Sequence, residues 1–123
     1  MSAPRRALAH MLAFLEELAR HGPESRSALE EDIVRARFAL HTLALLGEAA
    51  RRLPAPYKDA HPHVPWRRVI AFRNVLVHDY ERVDPDEVWR ILAEDVPHLR
   101  AQLAELHARA IAEPESGDGA SGG

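Results

Sequence analysis

Hydrophobic residues recur along most of this chain at the three- and four-residue spacing of amphipathic helices. The first such pattern begins at Pro4, which suits the first turn of a helix, and it ends at His21-Gly22-Pro23. A second, longer pattern runs from about Ser27 to Leu53. We therefore expect the chain to begin with two helices. The second carries one stripe of mostly apolar residues: Ile33, Leu40, Leu43, Gly47 and Ala50.

Gly47 stands out within this stripe, because glycine costs roughly 1 kcal/mol relative to alanine inside a helix. A glycine is justified there when a neighbouring backbone comes too close to leave room for a Cβ atom. We predict that another helix approaches the backbone of the second helix at Gly47.

Prolines mark the limits of the remaining elements. The segment from Pro54 to Val64 holds three prolines and is predicted to be a loop, and a third helix should begin near Pro65. A fourth helix should start at Asp84-Pro85-Asp86-Glu87, with Asp84 as the N-cap and Glu87 reaching back to it. Pro97 should break or kink that helix. The pattern predicts an all-α fold, an up-and-down bundle of four to five helices.

Composition is that of an ordinary globular protein. The 123 residues, 46% hydrophobic and 28% charged, suffice for one domain with a single core, which we expect over residues 1–112. Residues 113–123 hold four of the six glycines, so this tail should be disordered. The chain has no apolar run of about 20 residues, no signal-peptide pattern and no cysteine. We expect a cytoplasmic protein without disulfides or a membrane span.

Charge is distributed unevenly along the chain. The net charge is −3, but seven basic residues stand against three acidic ones between Arg51 and Arg82. Such a local excess would attract a phosphate backbone, and Arg67 and Arg68 are candidates for RNA binding. For each arginine taken separately, a solvated helix face is the alternative interpretation.

The octapeptide RNVLVHDY, residues 73–80, brings together a cation, a titratable imidazole and a phenol. The guanidinium of Arg73 stays charged and offers a planar fork of donors that suits a phosphate. His78 can take or give a proton near neutral pH, because the unperturbed pKa of histidine is about 6.5. Together with Tyr80, these groups can carry out phosphodiester chemistry without a metal.

The octapeptide resembles the signature of the HEPN ribonucleases and, within them, of the HepT-like toxins of prokaryotic toxin-antitoxin pairs. That signature is Arg, a polar residue, three further positions, His, one position and Tyr. It is matched here by Arg73, Asn74, His78 and Tyr80. Further matches lie on both sides of it: Gly47-Glu48-Ala49, Pro65-Trp66, Val83-Asp84 and Val88-Trp89. The resemblance extends over about residues 5–108 and implies the HEPN type of helical bundle.

The resemblance implies a ribonuclease that uses no metal and no cofactor. Arg73 and His78 would be its catalytic pair, with Asn74 and Glu48 in supporting roles. A surface position on the helix is an equal alternative for Asn74. Glu48 is at least as well suited to hold an arginine between helices as to take part in catalysis. The pair His61 and His63 matches a zinc site only weakly, because the loop offers no cysteine and no clear carboxylate partner.

Regular helical geometry limits how one chain can present the catalytic pair. At 100° per residue, Arg73 and Tyr80 lie about 20° apart, whereas Arg73 and His78 diverge by about 140°. Either the helix ends near His78, or a second copy of the chain completes the site. The family's arrangement is a homodimer in which two motifs line one cleft. We therefore expect a homodimer or a larger oligomer, with residues 75–77 packed in the core and the interface.

The resemblance also implies a protein partner. In HepT-like pairs a minimal nucleotidyltransferase antitoxin transfers AMP to the tyrosine of the His-x-Tyr element, here Tyr80, and so silences the nuclease. The expected function is an endoribonuclease toxin of a type VII-like system, with RNA as its substrate. A different interpretation is a non-catalytic helical module that docks a nucleotidyltransferase and contributes substrate-binding surface.

Overall fold

A computed structural model describes residues 3–75 and 83–112, and all regular secondary structure in these ranges is helical. The predicted all-α fold is confirmed. A 3-10 turn, Ala71–Val75, continues the fifth helix, and a π-helical segment, Ile91–Asp95, joins the last two. The helices are α1 Ala3–His21, α2 Arg26–Glu31, α3 Ile33–Arg52, α4 Ala55–Ala60, α5 Trp66–Ile70, α6 Pro85–Arg90 and α7 Val96–Ala112.

The core lies along α1, which packs against both α3 and α7, while α3 also packs against α5 and the 3-10 turn. Full burial of one leucine side chain stabilises the fold by roughly 1.5–3 kcal/mol, so this core accounts for most of the favourable packing energy. In the described ranges no helix is long and apolar enough to cross a membrane. The side chains with no exposed surface include Leu8, Met11, Leu15, Leu43, Leu46 and Leu103.

The predicted second helix is wrong in one respect, because the structure divides it at Asp32 into α2 and α3. The backbone of Asp32 is extended, and its N–H still donates to the carbonyl of Ala28 at 2.9 Å. Its carboxylate accepts from the N–H of Arg35 at 3.1 Å, so Asp32 ends one helix and caps the next. Ile33 follows this break with 46% of its surface exposed, whereas Leu40, Leu43, Gly47 and Ala50 of the same stripe are buried.

The loop predicted for residues 54–64 contains a short helix, α4. The carbonyl of Pro54 accepts from the N–H groups of Tyr57 and Lys58, which forms its first turn. The Lys58 ammonium donates to the carbonyls of Ala50 at 3.2 Å and Arg51 at 3.3 Å. A cation at these otherwise unpaired carbonyls stabilises the C-terminus of α3 and holds α4 against it.

The predicted start of the third helix near Pro65 is confirmed, since α5 begins at Trp66. The Trp66 side chain is buried, and its indole N–H donates to the carbonyl of His61 at 2.9 Å. A buried indole that keeps its hydrogen bond fixes the direction in which the chain enters α5. The helix changes to 3-10 geometry at Ala71, five residues later.

The predicted N-cap of the fourth helix is also confirmed, because the Asp84 carboxylate accepts from the N–H of Asp86 at 3.0 Å. The helix does not break at Pro97 but widens just before it, where the N–H of Val96 donates to the carbonyl of Ile91, five residues back. Proline has no N–H to offer to the preceding turn, and a π turn accommodates that loss without ending the helix.

Candidate functional site

The α3 helix and the 3-10 turn approach each other closely at Gly47 and Arg73. A Cβ atom built on Gly47 would lie 2.8 Å from the backbone nitrogen of Arg73 and 2.8 Å from the carbonyl oxygen of Ile70. Both of these neighbours are backbone atoms, which cannot move aside without shifting the chain. The predicted close approach at Gly47 is confirmed, and it places the backbone of Arg73 directly on α3.

Glu48, the next residue of α3, contacts the guanidinium of Arg73. Its Oε2 lies 3.1 Å from Nε of Arg73. The same carboxylate accepts from Nη2 of Arg51 at 2.6 Å and from Nε of Arg51 at 3.3 Å. Nε of Arg52 lies 3.4 Å from Oε1. One carboxylate thus gathers three guanidinium groups, which we call the Glu48 cluster.

The Glu48 cluster keeps its carboxylate ionised. The pKa of Glu48 is lowered, first by the hydrogen bond from Arg51 and then by the charges of Arg51, Arg73 and Arg52, while partial burial opposes the shift. The four charges sum to +2. The arginine side chains retain between 45% and 74% of their surface exposed, so the excess positive charge faces solvent.

Asn74, the residue after Arg73 in the 3-10 turn, lines an open cavity of about 230 Å3. Val75 and Val83 supply apolar walls, and Asp84 and Glu87 supply carboxylates. Asn74 is exposed, so its amide can reach a bound molecule. The acidic lining makes this cavity unsuitable by itself for a phosphate.

The two candidate RNA-binding arginines of α5 have different surroundings. Nε of Arg68 lies 3.0 Å from Oδ2 of Asp95, which also contacts Arg90 at 3.4 Å. Arg67 is exposed and lines a broad open groove with Lys58 and Trp66. Arg68 therefore ties α5 to the π-helical segment, whereas Arg67 remains available to a ligand.

Several residues of the sequence-based site lie outside the described residues: His78, Tyr80, Leu76 and Val77. The structure does describe the start of the segment over which the angle between Arg73 and His78 was derived. That argument assumed a regular α-helix, and the assumption is wrong for residues 71–75, where each residue of a 3-10 turn rotates the chain by about 120°. The described part of the motif, residues 73–75, is therefore not a regular α-helix, and the 140° divergence between Arg73 and His78 stays a prediction.

The sequence interpretation treated Arg51 and Arg52 only as part of a local basic excess. Their positions, three and four residues after Glu48 on one helix, are the spacing at which side chains meet on a helix surface. That spacing was the signal for the Glu48 cluster. Among the described residues, no group of three His, Cys, Asp or Glu side chains is arranged to hold a metal ion.

Comparisons with known proteins agree on one family. The model of the family described as "Ribonuclease HepT-like" matches residues 10–106. The chain is 31% identical to "Putative RNase TTE0752" of Caldanaerobacter subterraneus subsp. tengcongensis over 107 residues, which cover 86% of this chain and 96% of that relative. It is 34% identical to "Probable ribonuclease HepT" of Thermococcus cleftensis over 73 residues, or 58% of this chain and 66% of that relative. No solved structure matches the chain.

The matched range includes α3 with Gly47 and Glu48, the 3-10 turn with Arg73, and most of α1 and α7. The family match therefore covers the core helices and the arginine that the Glu48 cluster holds, and not a peripheral segment alone. This chain belongs to the HepT-like ribonuclease family.

Proposed function

We propose that this chain is a metal-independent endoribonuclease toxin of a type VII-like toxin-antitoxin system. The observation that carries the proposal is the position of Arg73, whose backbone lies against Gly47 and whose guanidinium is bound by Glu48, within a chain of the HepT-like family. A fixed cation costs little reorganisation when negative charge develops on a phosphate, which is what electrostatic catalysis requires.

The orientation of the Arg73 guanidinium suits this role. The shortest contact between Glu48 and Arg73 is made at Nε, at 3.1 Å. An arginine approached at Nε can still bind the non-bridging oxygens of a phosphate through its two terminal amino groups. Glu48 is then a positioning residue, because its lowered pKa makes its carboxylate a weak base for the 2′-hydroxyl proton.

The proposed reaction is an internal transfer of a phosphodiester. The 2′-hydroxyl oxygen attacks the adjacent phosphorus and His78 accepts the hydroxyl proton. The P–O5′ bond breaks as the leaving oxygen takes a proton from water, and His78 then returns its proton to the solvent. The products are a 2′,3′-cyclic phosphate and a 5′-hydroxyl end. Arg73 stabilises the charge on the phosphorane oxygens, and Asn74 and Tyr80 are placed by the motif to orient the substrate.

Cleavage by the purified chain tests the reaction. We expect RNA cleavage to persist in EDTA, to leave cyclic phosphate ends and to be lost in His78→Ala with an unchanged helical circular-dichroism spectrum. Arg109→Ala, an exposed arginine of α7, is the matched control and should cleave normally. Full cleavage by His78→Ala would overturn the mechanism. A chain that binds a nucleotidyltransferase but cleaves nothing would favour the non-catalytic module.

We also propose that the active form is a homodimer formed through α3. Val34 and Leu45 are 74% and 38% exposed and lie eleven residues apart, about 20° from each other on one face of the helix. Glu48 follows along the same face, so a second copy seated there reaches the Glu48 cluster. Exposed apolar residues next to a site are typical of a protein interface.

Light scattering at micromolar concentration tests the dimer. We expect Val34→Arg to convert a dimer into a monomer, whereas Ile111→Arg, which replaces a half-exposed apolar residue on α7, should leave the dimer intact. A monomeric wild-type chain would overturn this proposal, and so would an equal effect of the two variants.

Regulation would act at Tyr80. A partner nucleotidyltransferase would join the phenol oxygen of Tyr80 to the α-phosphorus of ATP, with release of pyrophosphate, and the added negative charge would repel RNA phosphate. Intact mass after co-expression should show adenylyl increments on the wild type and none on Tyr80→Phe. Tyr57, half-buried against the rings of His61 and Trp66, is the internal control. Equal inhibition by a catalytically dead partner would show that complex formation alone silences the chain.

A further inference from the structure

The Glu48 cluster contains more positive charge than the fold requires. One arginine beside Glu48 would satisfy its carboxylate, and an exposed pair three or four residues apart on a helix stabilises it by only about 0.2–0.5 kcal/mol. Three guanidinium groups around one carboxylate also repel one another. The surplus charge of +2 at this exposed surface therefore favours the binding of an anion from outside the chain.

The three arginines are bound to Glu48 unequally. Arg51 is held by two contacts, at 2.6 Å and 3.3 Å, and Arg73 by one at 3.1 Å. Arg52 has the longest contact, 3.4 Å, and is 74% exposed. A second anion can therefore bind the guanidinium of Arg52 with the least weakening of the contacts to Glu48. Arg51 donates to Glu48 through Nε and Nη2, so its Nη1 is the group that it can offer to the same anion.

The separation between the groups suits consecutive phosphates of one strand. Nε of Arg51 and Nε of Arg73 lie 3.3 Å and 3.1 Å from the same oxygen, Oε2 of Glu48, so the two nitrogen atoms are at most about 6.4 Å apart. The groups are thus near enough to contact neighbouring phosphates of one strand.

We propose that Arg51 and Arg52 form a second phosphate subsite, which holds the RNA phosphate next to the one that Arg73 contacts. The proposal rests on the proposed ribonuclease function. Arg51 and Arg52 act on substrate binding and register and carry no proton, whereas Arg73 acts on the reacting phosphate. The α3 helix would thus supply both the carboxylate that positions Arg73 and the cations that align the strand.

The test compares substrates that differ in the number of phosphates. The double variant Arg51→Gln/Arg52→Gln is assayed on a dinucleotide, which carries only the scissile phosphate, and on an RNA octamer. We expect kcat/KM on the octamer to fall at least tenfold more than on the dinucleotide, mainly through KM. The slope of log KM against log salt should fall by about one to two units, as expected when one or two phosphate contacts are lost.

The matched control is Arg20→Gln/Arg109→Gln, which removes the same charge from two exposed arginines that each pair with a glutamate on α1 or α7. It should leave both substrates and the salt slope unchanged. Equal losses on dinucleotide and octamer, or an equal loss in the control, would overturn the subsite.

A 2′-O-methyl octamer, which no such mechanism cleaves, gives a second readout by fluorescence anisotropy. If the wild type cleaves no RNA, selective loss of octamer binding still identifies the subsite, and unchanged binding rejects it.

Discussion

Two arginines of the segment formed by α5 and the 3-10 turn are each held by a carboxylate from another helix, but their surroundings differ. Arg68 lies 3.0 Å from Asp95, whose side chain is 18% exposed and which has two arginine partners. Arg73 lies 3.1 Å from Glu48, which is 29% exposed and has three. The contact distances are nearly equal, so distance alone does not distinguish the two pairs.

The backbone and the charge distinguish them. Arg73 rests on a glycine that leaves no space for a Cβ atom, so packing against α3 positions its main chain independently of its side-chain contact. Arg68 sits on a regular turn of α5 and connects it to the π-helical segment. The Asp95 pair serves tertiary packing, whereas the Glu48 cluster fixes an arginine and retains surplus positive charge at the surface. The second combination is the one expected of a phosphate site.

The largest expected difference between the two pairs is in activity. Arg73→Ala should lower RNA cleavage by about 100-fold or more, which is typical when one group that stabilises a developing charge is removed. Arg68→Ala should reduce cleavage less than tenfold and lower the free energy of unfolding by about 1 kcal/mol or less, because it removes a partly exposed ion pair. Cleavage rates of both variants measure the loss of activity, and urea denaturation measures the change in the free energy of unfolding. Equal losses of activity would show that the surroundings of the two arginines do not decide their roles.

The sequence predicted those parts of the fold that depend on local signals. Asp84 caps α6 as expected, α1 ends at His21, and Gly47 marks a close approach, because each depends on the residue type at one position. The stretch from Ser27 to Leu53 was harder to divide. Its apolar spacing continues across Asp32, and an aspartate inside a helical pattern is compatible both with an exposed position and with a cap.

The candidate site could be predicted only in part for a similar reason. Arg73 and Glu48 were identified, but which arginine Glu48 would hold depends on how α3 packs against the 3-10 turn, and no local pattern encodes that. The 3-10 geometry at Ala71–Val75 was likewise missed, because its residues have no signal that separates it from an α-helix. The angular argument from the sequence therefore started from the wrong local geometry for residues 73–75.

A second, smaller difference concerns the backbone contact. Gly47→Ala would place a Cβ atom 2.6 Å from Cγ of Arg73 and 2.8 Å from two backbone atoms, so α3 and the 3-10 turn must separate. We expect the free energy of unfolding to fall by about 1–3 kcal/mol, the usual cost of overpacking, as measured by urea denaturation. The loss should persist when Gly47→Ala is combined with Arg73→Ala, since the backbone clashes remain. Full recovery in the double variant would show that only the Arg73 side chain matters.

The smallest expected effect concerns the charge of Glu48 and how its contribution to stability depends on pH. Glu48→Gln should lower stability at neutral pH, because Arg51, Arg73 and Arg52 lose their shared carboxylate. The pKa of Glu48 in the folded chain lies below its ordinary value of 4.5, so the carboxylate stabilises the fold above about pH 4.5 and this contribution disappears as the pH falls through the lowered pKa. Urea denaturation from about pH 7 to about pH 3 should therefore show the wild type and Glu48→Gln converging at the acid end. Glu105→Gln, an exposed carboxylate with one arginine partner, is the control and should differ less from the wild type at neutral pH. A constant gap between wild type and Glu48→Gln across this range would mean that Glu48 acts through packing and not through its charge.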